Sequence, residues 1–165
     1  MRLIKSYNKM GASKMSVDTS FEKGILTISR QYDHPLDEVF SAWVDAGKTR
    51  EWWGCENTTH VTSEIETEVG GKYEHAMTIT GVGVHPIKGK LTAYEPPVRL
   101  AYEMPGMSEG EIMQVNVSFK DRDGQTEVTL TQSMVPAELR GVIKAGWTAS
   151  FERLARFFNG ERRAA

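Results

Sequence analysis

The chain holds one cysteine in 165 residues. It therefore has no internal disulfide and cannot assemble the several-cysteine set of a structural zinc site, which suits a reducing compartment and makes the cytoplasm the expected location. It also lacks any apolar run approaching the roughly 18 residues that span a membrane. An excess of one charge is missing too: 20 Lys and Arg against 22 Asp and Glu leave a formal −2, and no acidic or basic tail adds to it, so no nucleic-acid partner is expected. Residues 1–20 lack the apolar core of a signal peptide and read as a flexible N-terminal extension ahead of a single domain at 21–160. Met10 and Met15 leave the natural start of the chain open.

What is present is an ordinary globular composition, 39% hydrophobic and 25% charged. A chain of this length buries roughly two-thirds of its unfolded surface in one domain. The stretch "GILTISRQY" (24–32) is rich in β-branched residues and stops at His34-Pro35, so it reads as a strand followed by a helix start. In "PLDEVFSAWV" (35–44), Leu36, Val39, Phe40 and Trp43 recur at helical spacing and predict a buried face. Gly47 breaks that pattern, and "KTREWW" predicts a second short helix ending at Gly54.

From residue 59 the period changes to two. Glycine and proline pairs divide 59–134 into six strands near 59–68, 71–80, 84–94, 98–104, 111–120 and 125–134, which with the first makes seven in an antiparallel sheet. After Pro136, Ile143, Trp147, Phe151, Leu154 and Phe158 recur at three and four residues and predict one long helix. Its broad apolar stripe needs a sheet face as partner, so the expected class is α+β, a curved antiparallel sheet gripping a C-terminal helix.

Alternation then sorts the inward side chains. It sends Tyr73, His75 and Met77, His85 and Ile87, Tyr102 and Met104, and Leu130, Gln132 and Met134 toward the helix. Unpaired buried polar groups cost about 1–3 kcal/mol each, so Tyr73, His75, His85, Tyr102 and Gln132 call either for a cavity or for bonds to one another or to trapped water. A turn centred on Val82 sets His85 opposite Ile79 and about four residues, roughly 13 Å, from His75, too far for one metal ion. Glu64 and Glu66 share a face of their strand and read either as a solvated surface or as a carboxylate pair near the pocket.

"REWWGCENTTH" (50–60) sets Trp52 and Trp53 beside Cys55. Cys55 follows the C-terminal end of the predicted helix, where the helix dipole disfavours a thiolate, so no nucleophile is assigned there. The adjacent tryptophans point about 100° apart, one toward the core and the other toward a pocket rim.

The run "ISRQYDHPLDEVFSAWVDAGKTREWWG", the turn "EVGGKYEHAM", the hairpin "IKGKLTAYEPPVRLAYE" and the closing "GWTASFERLARFF" resemble the homologues of the activator of the heat-shock protein 90 ATPase, within the START-like superfamily of polyketide cyclases and lipid-transport proteins. The resemblance spans about Ile25 to Phe158 and implies the helix-grip fold with an internal cavity. It implies no particular reaction: members of the superfamily bind lipids, hormones or polyketides, and some catalyse cyclisation or dehydration.

The expected function is therefore binding of a small, largely apolar or amphipathic molecule, with Trp52, Trp53, Tyr73, His75, Met77, His85, Tyr102, Gln132 and Trp147 as lining and no cofactor, metal or catalytic group assigned. Two alternatives stand beside it. One is an enzyme using His75 or His85 as acid/base in the same cavity, and the other is a co-chaperone activating an ATPase, which rests on the resemblance alone. A homodimer is left open.

Overall fold

The computed structural model describes residues 16–163, so all but residues 16–20 of the expected extension at 1–20 lies outside the described residues. Among the described residues, eight strands form one antiparallel sheet: β1 (Asp18–Glu22), β2 (Ile25–Tyr32), β3 (Thr58–Ile65), β4 (Lys72–Ile79), β5 (Gly83–Glu95), β6 (Arg99–Pro105), β7 (Ile112–Arg122) and β8 (Gln125–Gln132). Their order is β1-β2-β8-β7-β6-β5-β4-β3. Helices α1 (Leu36–Val44) and α2 (Ala46–Trp52) join β2 to β3, and α3 (Arg140–Phe158) follows a single 3₁₀ turn at Ala137–Leu139. None of the helices among the described residues is long and apolar enough to cross a membrane.

The eighth strand corrects the expected seven and begins inside the stretch read as an extension. In "DTSFE" only Phe21 is apolar, too little for an alternating signal, yet it packs against the core beside its partner Leu26. Lys23 and Gly24, both at positive φ (51° and 77°), form the two-residue turn that folds β1 onto β2.

Gly47 also departs from expectation, because it lies within α2. Asp45 is extended (φ −96°, ψ 116°) and makes the break, and its carboxylate caps α2 by accepting the Gly47 N–H at 2.8 Å. The far end of α2 is as the sequence predicts. Gly54 turns the chain at φ 116°, where a Cβ would lie 2.7–2.9 Å from Thr58.

On the helix side of the sheet, β7 presents Met113, Val115, Val117 and Phe119 and β8 presents Val128, Leu130 and Gln132, all buried. Met134 is an exception to the expected inward set. The strand ends at Gln132, Met134 adopts φ 57°, and its side chain is exposed while Val135 takes the buried place. Glu64 and Glu66 lie on the solvated side: Glu64 pairs with Lys72 at 2.8 Å, and Glu66 accepts the Lys72 backbone N–H.

Candidate functional site

Two-residue alternation along β4 aims Tyr73, His75 and Met77 toward α3, and the register places Gly89, Ile87 and His85 directly opposite them on β5. Gly89 is required for this wall. A Cβ there would lie 2.4 Å from the Tyr73 carbonyl oxygen and 3.0 Å from the Tyr102 ring, so its absence lets Tyr102 lie across the strand.

Ring contacts then run through the interior. Trp53 stacks on His75 with centroids 3.8 Å apart, Tyr73 meets both His75 and Tyr102 at 4.7 Å, and Trp147 meets Trp53 edge-on at 5.3 Å. Trp43 sits at the centre, touching Trp52, Trp53, Phe119, Trp147 and Phe151. Six of the nine residues expected at the site, Trp52, Trp53, Tyr73, His75, Tyr102 and Trp147, are thus in one contiguous cluster. Gln132 joins it by accepting the Trp147 indole N–H at 2.7 Å, and Met77 is the neighbour of His75 on β4.

Two expected residues are placed differently. Trp52 touches Trp43 and Trp53 but is wholly buried, its indole N–H donating to the Ala42 carbonyl at 2.9 Å, so it braces α1 against α2 behind the cluster. Neither tryptophan of the pair reaches a rim. His85 is exposed: the three-residue loop after Ile79 pairs His85 with Met77 rather than with Ile79, and the imidazole projects past the covered part of the sheet.

Polar groups on the inner wall fall into two sets. Tyr73 donates to the Trp43 carbonyl at 2.7 Å and is satisfied. His75 is held from one side, by a relay that the sequence reading did not find. Thr49 Oγ1 on α2 donates to Ser63 Oγ at 2.7 Å, and Ser63 Oγ lies 2.8 Å from His75 Nδ1. With Ser63 accepting from Thr49 at 2.7 Å, a shorter contact than the 3.3 Å from Thr49 to the Ala46 carbonyl, its own proton is free for Nδ1, the arrangement that carries the imidazole proton on Nε2. Ser63 was discoverable, since it alternates inward with Val61 and Ile65. The second set consists of His75 Nε2, the Tyr102 hydroxyl and the Trp43 indole nitrogen, which are buried and have no hydrogen-bond partner.

Burial sets the protonation states. It pushes His75 down to about 3 and raises the phenols of Tyr73 and Tyr102, so all three groups are neutral at pH 7. Cys55 is half-buried with Sγ 3.3 Å from Thr58 Oγ1, beyond the C-terminal end of α2.

A curved antiparallel sheet closed by a long C-terminal helix, with an inner wall of aromatic and isolated polar groups, defines a helix-grip protein of the START-like class. Within that class the chain belongs to the family described as Activator of Hsp90 ATPase homolog 1-like protein, which matches residues 33–159. No curated protein matches the sequence significantly. Solved structures share the fold at low identity. A protein from Arthrobacter aurescens aligns with a TM-score of 0.76 and 20% identity over 90% of this chain and 94% of its own. A Rhodobacter sphaeroides protein gives 0.75 and 16% over 88% and 99%. A protein of the same family from Silicibacter pomeroyi gives 0.71 and 20% over 82% and 97%.

Proposed function

We propose that the protein binds a small, largely apolar molecule between the sheet and α3, held by the inward polar groups of His75 and Tyr102. The observation that supports this reading is the orphaned set itself. His75 Nε2, the Tyr102 hydroxyl and the Trp43 indole nitrogen are buried without partners, and each such group costs about 1–3 kcal/mol unless something bonds it. A few placed polar groups in an aromatic wall is the composition of a small-molecule site.

Access is best from the end of the sheet where β4 finishes and β5 starts. There Met77 and Trp147 keep 8% and 9% of their surface, and Ile79, Ile87, Met104 and Ile143 are only partly buried. The ligand would enter past these flexible and branched side chains, with methionine adapting to it. His75 is held neutral and serves as a hydrogen-bond donor to a ligand carbonyl or hydroxyl. A group whose pKa lies near 3 is a poor proton shuttle at pH 7, so binding is favoured over acid/base chemistry.

Titration of the uncharged fluorophore 6-propionyl-2-(dimethylamino)naphthalene, whose ketone can accept a hydrogen bond from His75, with native mass spectrometry of the protein as purified, tests the reading. Saturable binding that weakens in His75→Phe and is blocked by Met77→Trp is expected. Absence of both saturable binding and a co-purifying molecule would remove the proposal.

A further inference from the structure

A concavity lies outside the sheet–helix interior, where the segment after α3 crosses back over the junction of α2 and β3. The turn that creates it is legible in the sequence "FFNG". Gly160 adopts φ 89°, its N–H donates to the Phe157 carbonyl, and the Glu161 N–H donates to the Arg156 carbonyl, both at 3.0 Å. This pair of bonds is a Schellman motif, and it ends α3 while reversing the chain. Arg163 then anchors the returning segment by donating to the carbonyls of Arg50, Thr58 and Trp53.

The result is a cleft of about 470 Å³ in which Arg153, Arg156, Arg162 and Arg163 face Glu51 and Glu161. Its formal charge is positive by two. The carboxylates do not neutralise it: among the described residues the ion pairs within 4.0 Å are His34 with Glu38, Lys72 with Glu64, Arg99 with Glu95 and Arg122 with Glu127, and none involves this cleft. Glu51 instead accepts the Arg163 backbone N–H at 3.2 Å.

Arg163 is engaged with its three carbonyls, but Arg153 and Arg162 keep donors to spare. Arg153 Nη1 is buried without a partner and its Nη2 makes only a 3.4 Å contact to the Glu56 carbonyl. Arg162 makes two 3.3 Å contacts to carbonyls and lies over the Phe157 ring. Burial and the neighbouring Arg156 lower Arg153, and burial together with Arg153 pushes Arg163 down to about 10; Glu56 and Glu51 oppose these shifts without cancelling them, as expected of crowded cations.

We propose that this cleft binds a small molecule through a phosphate-type dianion, received by the guanidinium forks of Arg153 and Arg156. Guanidinium presents paired donors that match tetrahedral oxyanions, and charge-assisted bonds of this kind are about twice as strong as neutral ones. The double negative charge matches the excess of two. The volume falls in the ~300–1,000 Å³ range of small-molecule sites and leaves room for an organic body beyond the anionic head. Thr58 and Thr59 at the cleft wall sit beside that body.

The test is isothermal titration of the full chain with phenyl phosphate and, in parallel, with inorganic pyrophosphate at low ionic strength. Saturable binding is expected, weakened about tenfold or more in Arg156→Gln and in Arg153→Gln and unchanged in Lys88→Gln, which lies on exposed β5 away from the cleft. Arg156 is exposed, so its substitution leaves the fold intact and keeps the comparison meaningful if Arg153→Gln is unstable. Rising salt should weaken binding by screening. Failure of both anions to saturate, or equal affinity in Arg156→Gln and the parent chain, overturns the proposal. The uncharged probe of the interior site is unaffected by these arginines, so the two proposals fail separately.

Discussion

Trp53 lies flat on His75, with ring centroids 3.8 Å apart and planes 20° from parallel. The stack closes one face of the imidazole, the Ser63 relay occupies Nδ1, and only Nε2 is left to address a ligand. Water is thereby excluded from the ring, which is why burial alone accounts for its depressed pKa.

That depression has a signed consequence for stability. Between the ordinary histidine value of about 6.5 and the folded value of about 3, the unfolded chain binds a proton that the folded chain refuses, so the histidine's contribution to stability falls as pH drops. The expected slope is about 1.4 kcal/mol per pH unit within that window and none above it. Urea unfolding at pH 7 and pH 5 should show the loss in the parent chain and a smaller loss in His75→Gln; identical losses would refute the assignment.

The Trp147–Gln132 bond, 2.7 Å long and buried, ties α3 to β8. Trp147→Phe keeps most of the ring but leaves Gln132 Oε1 unpaired, for an expected loss of about 1–3 kcal/mol. Pairing it with Gln132→Leu should recover part of that loss in a double-mutant cycle. Additive losses would mean that the bond carries no coupling.

Ser150 on α3 both donates to the Gly54 carbonyl at 2.7 Å and accepts the Gly54 N–H at 3.0 Å. Removing the hydroxyl in Ser150→Ala orphans both groups of a buried turn, and a loss of about 1–3 kcal/mol in chemical unfolding is expected. A neutral effect would show that the two bonds of the hydroxyl add nothing to the turn's stability.

Two glycines separate steric from conformational cost. Gly70 has φ 87° and open space where a methyl would stand, so Gly70→Ala should cost about 1 kcal/mol from strain alone. Gly89 has no such φ, but its methyl would meet the Tyr73 carbonyl at 2.4 Å, so Gly89→Ala should cost more, about 1–3 kcal/mol or above, and loosen Tyr102. Equal melting shifts for the two variants would contradict the crowding seen at Gly89.

The sequence revealed the class of fold because its two strongest periodicities, two in β7 and three-to-four in α3, belong to the elements that form the core. It revealed faces better than depth. The hairpin between β4 and β5 contains Gly81 and Gly83, both at positive φ, which centre the turn on Gly81 and slip the pairing by two residues from the expected one. A slip of two preserves parity, so His85 kept the right face and lost its burial. β1 escaped notice because "DTSFE" borrows its stability from β2 and holds one apolar side chain. The Thr49–Ser63–His75 relay crosses from helix to sheet, and no spacing along the chain announces a contact of that kind.

The pairing of β2 with β8, where Leu26 meets Gln132, joins segments roughly a hundred residues apart. During synthesis β3 to β7 can assemble as a meander of neighbours, each waiting only for the next strand to leave the ribosome. The first hairpin cannot dock until β8 emerges, and the aromatic wall stays open until α3 follows. The emerging chain therefore carries an uncovered apolar face while the sheet is being made, and α3, which follows every strand, is the element that closes it.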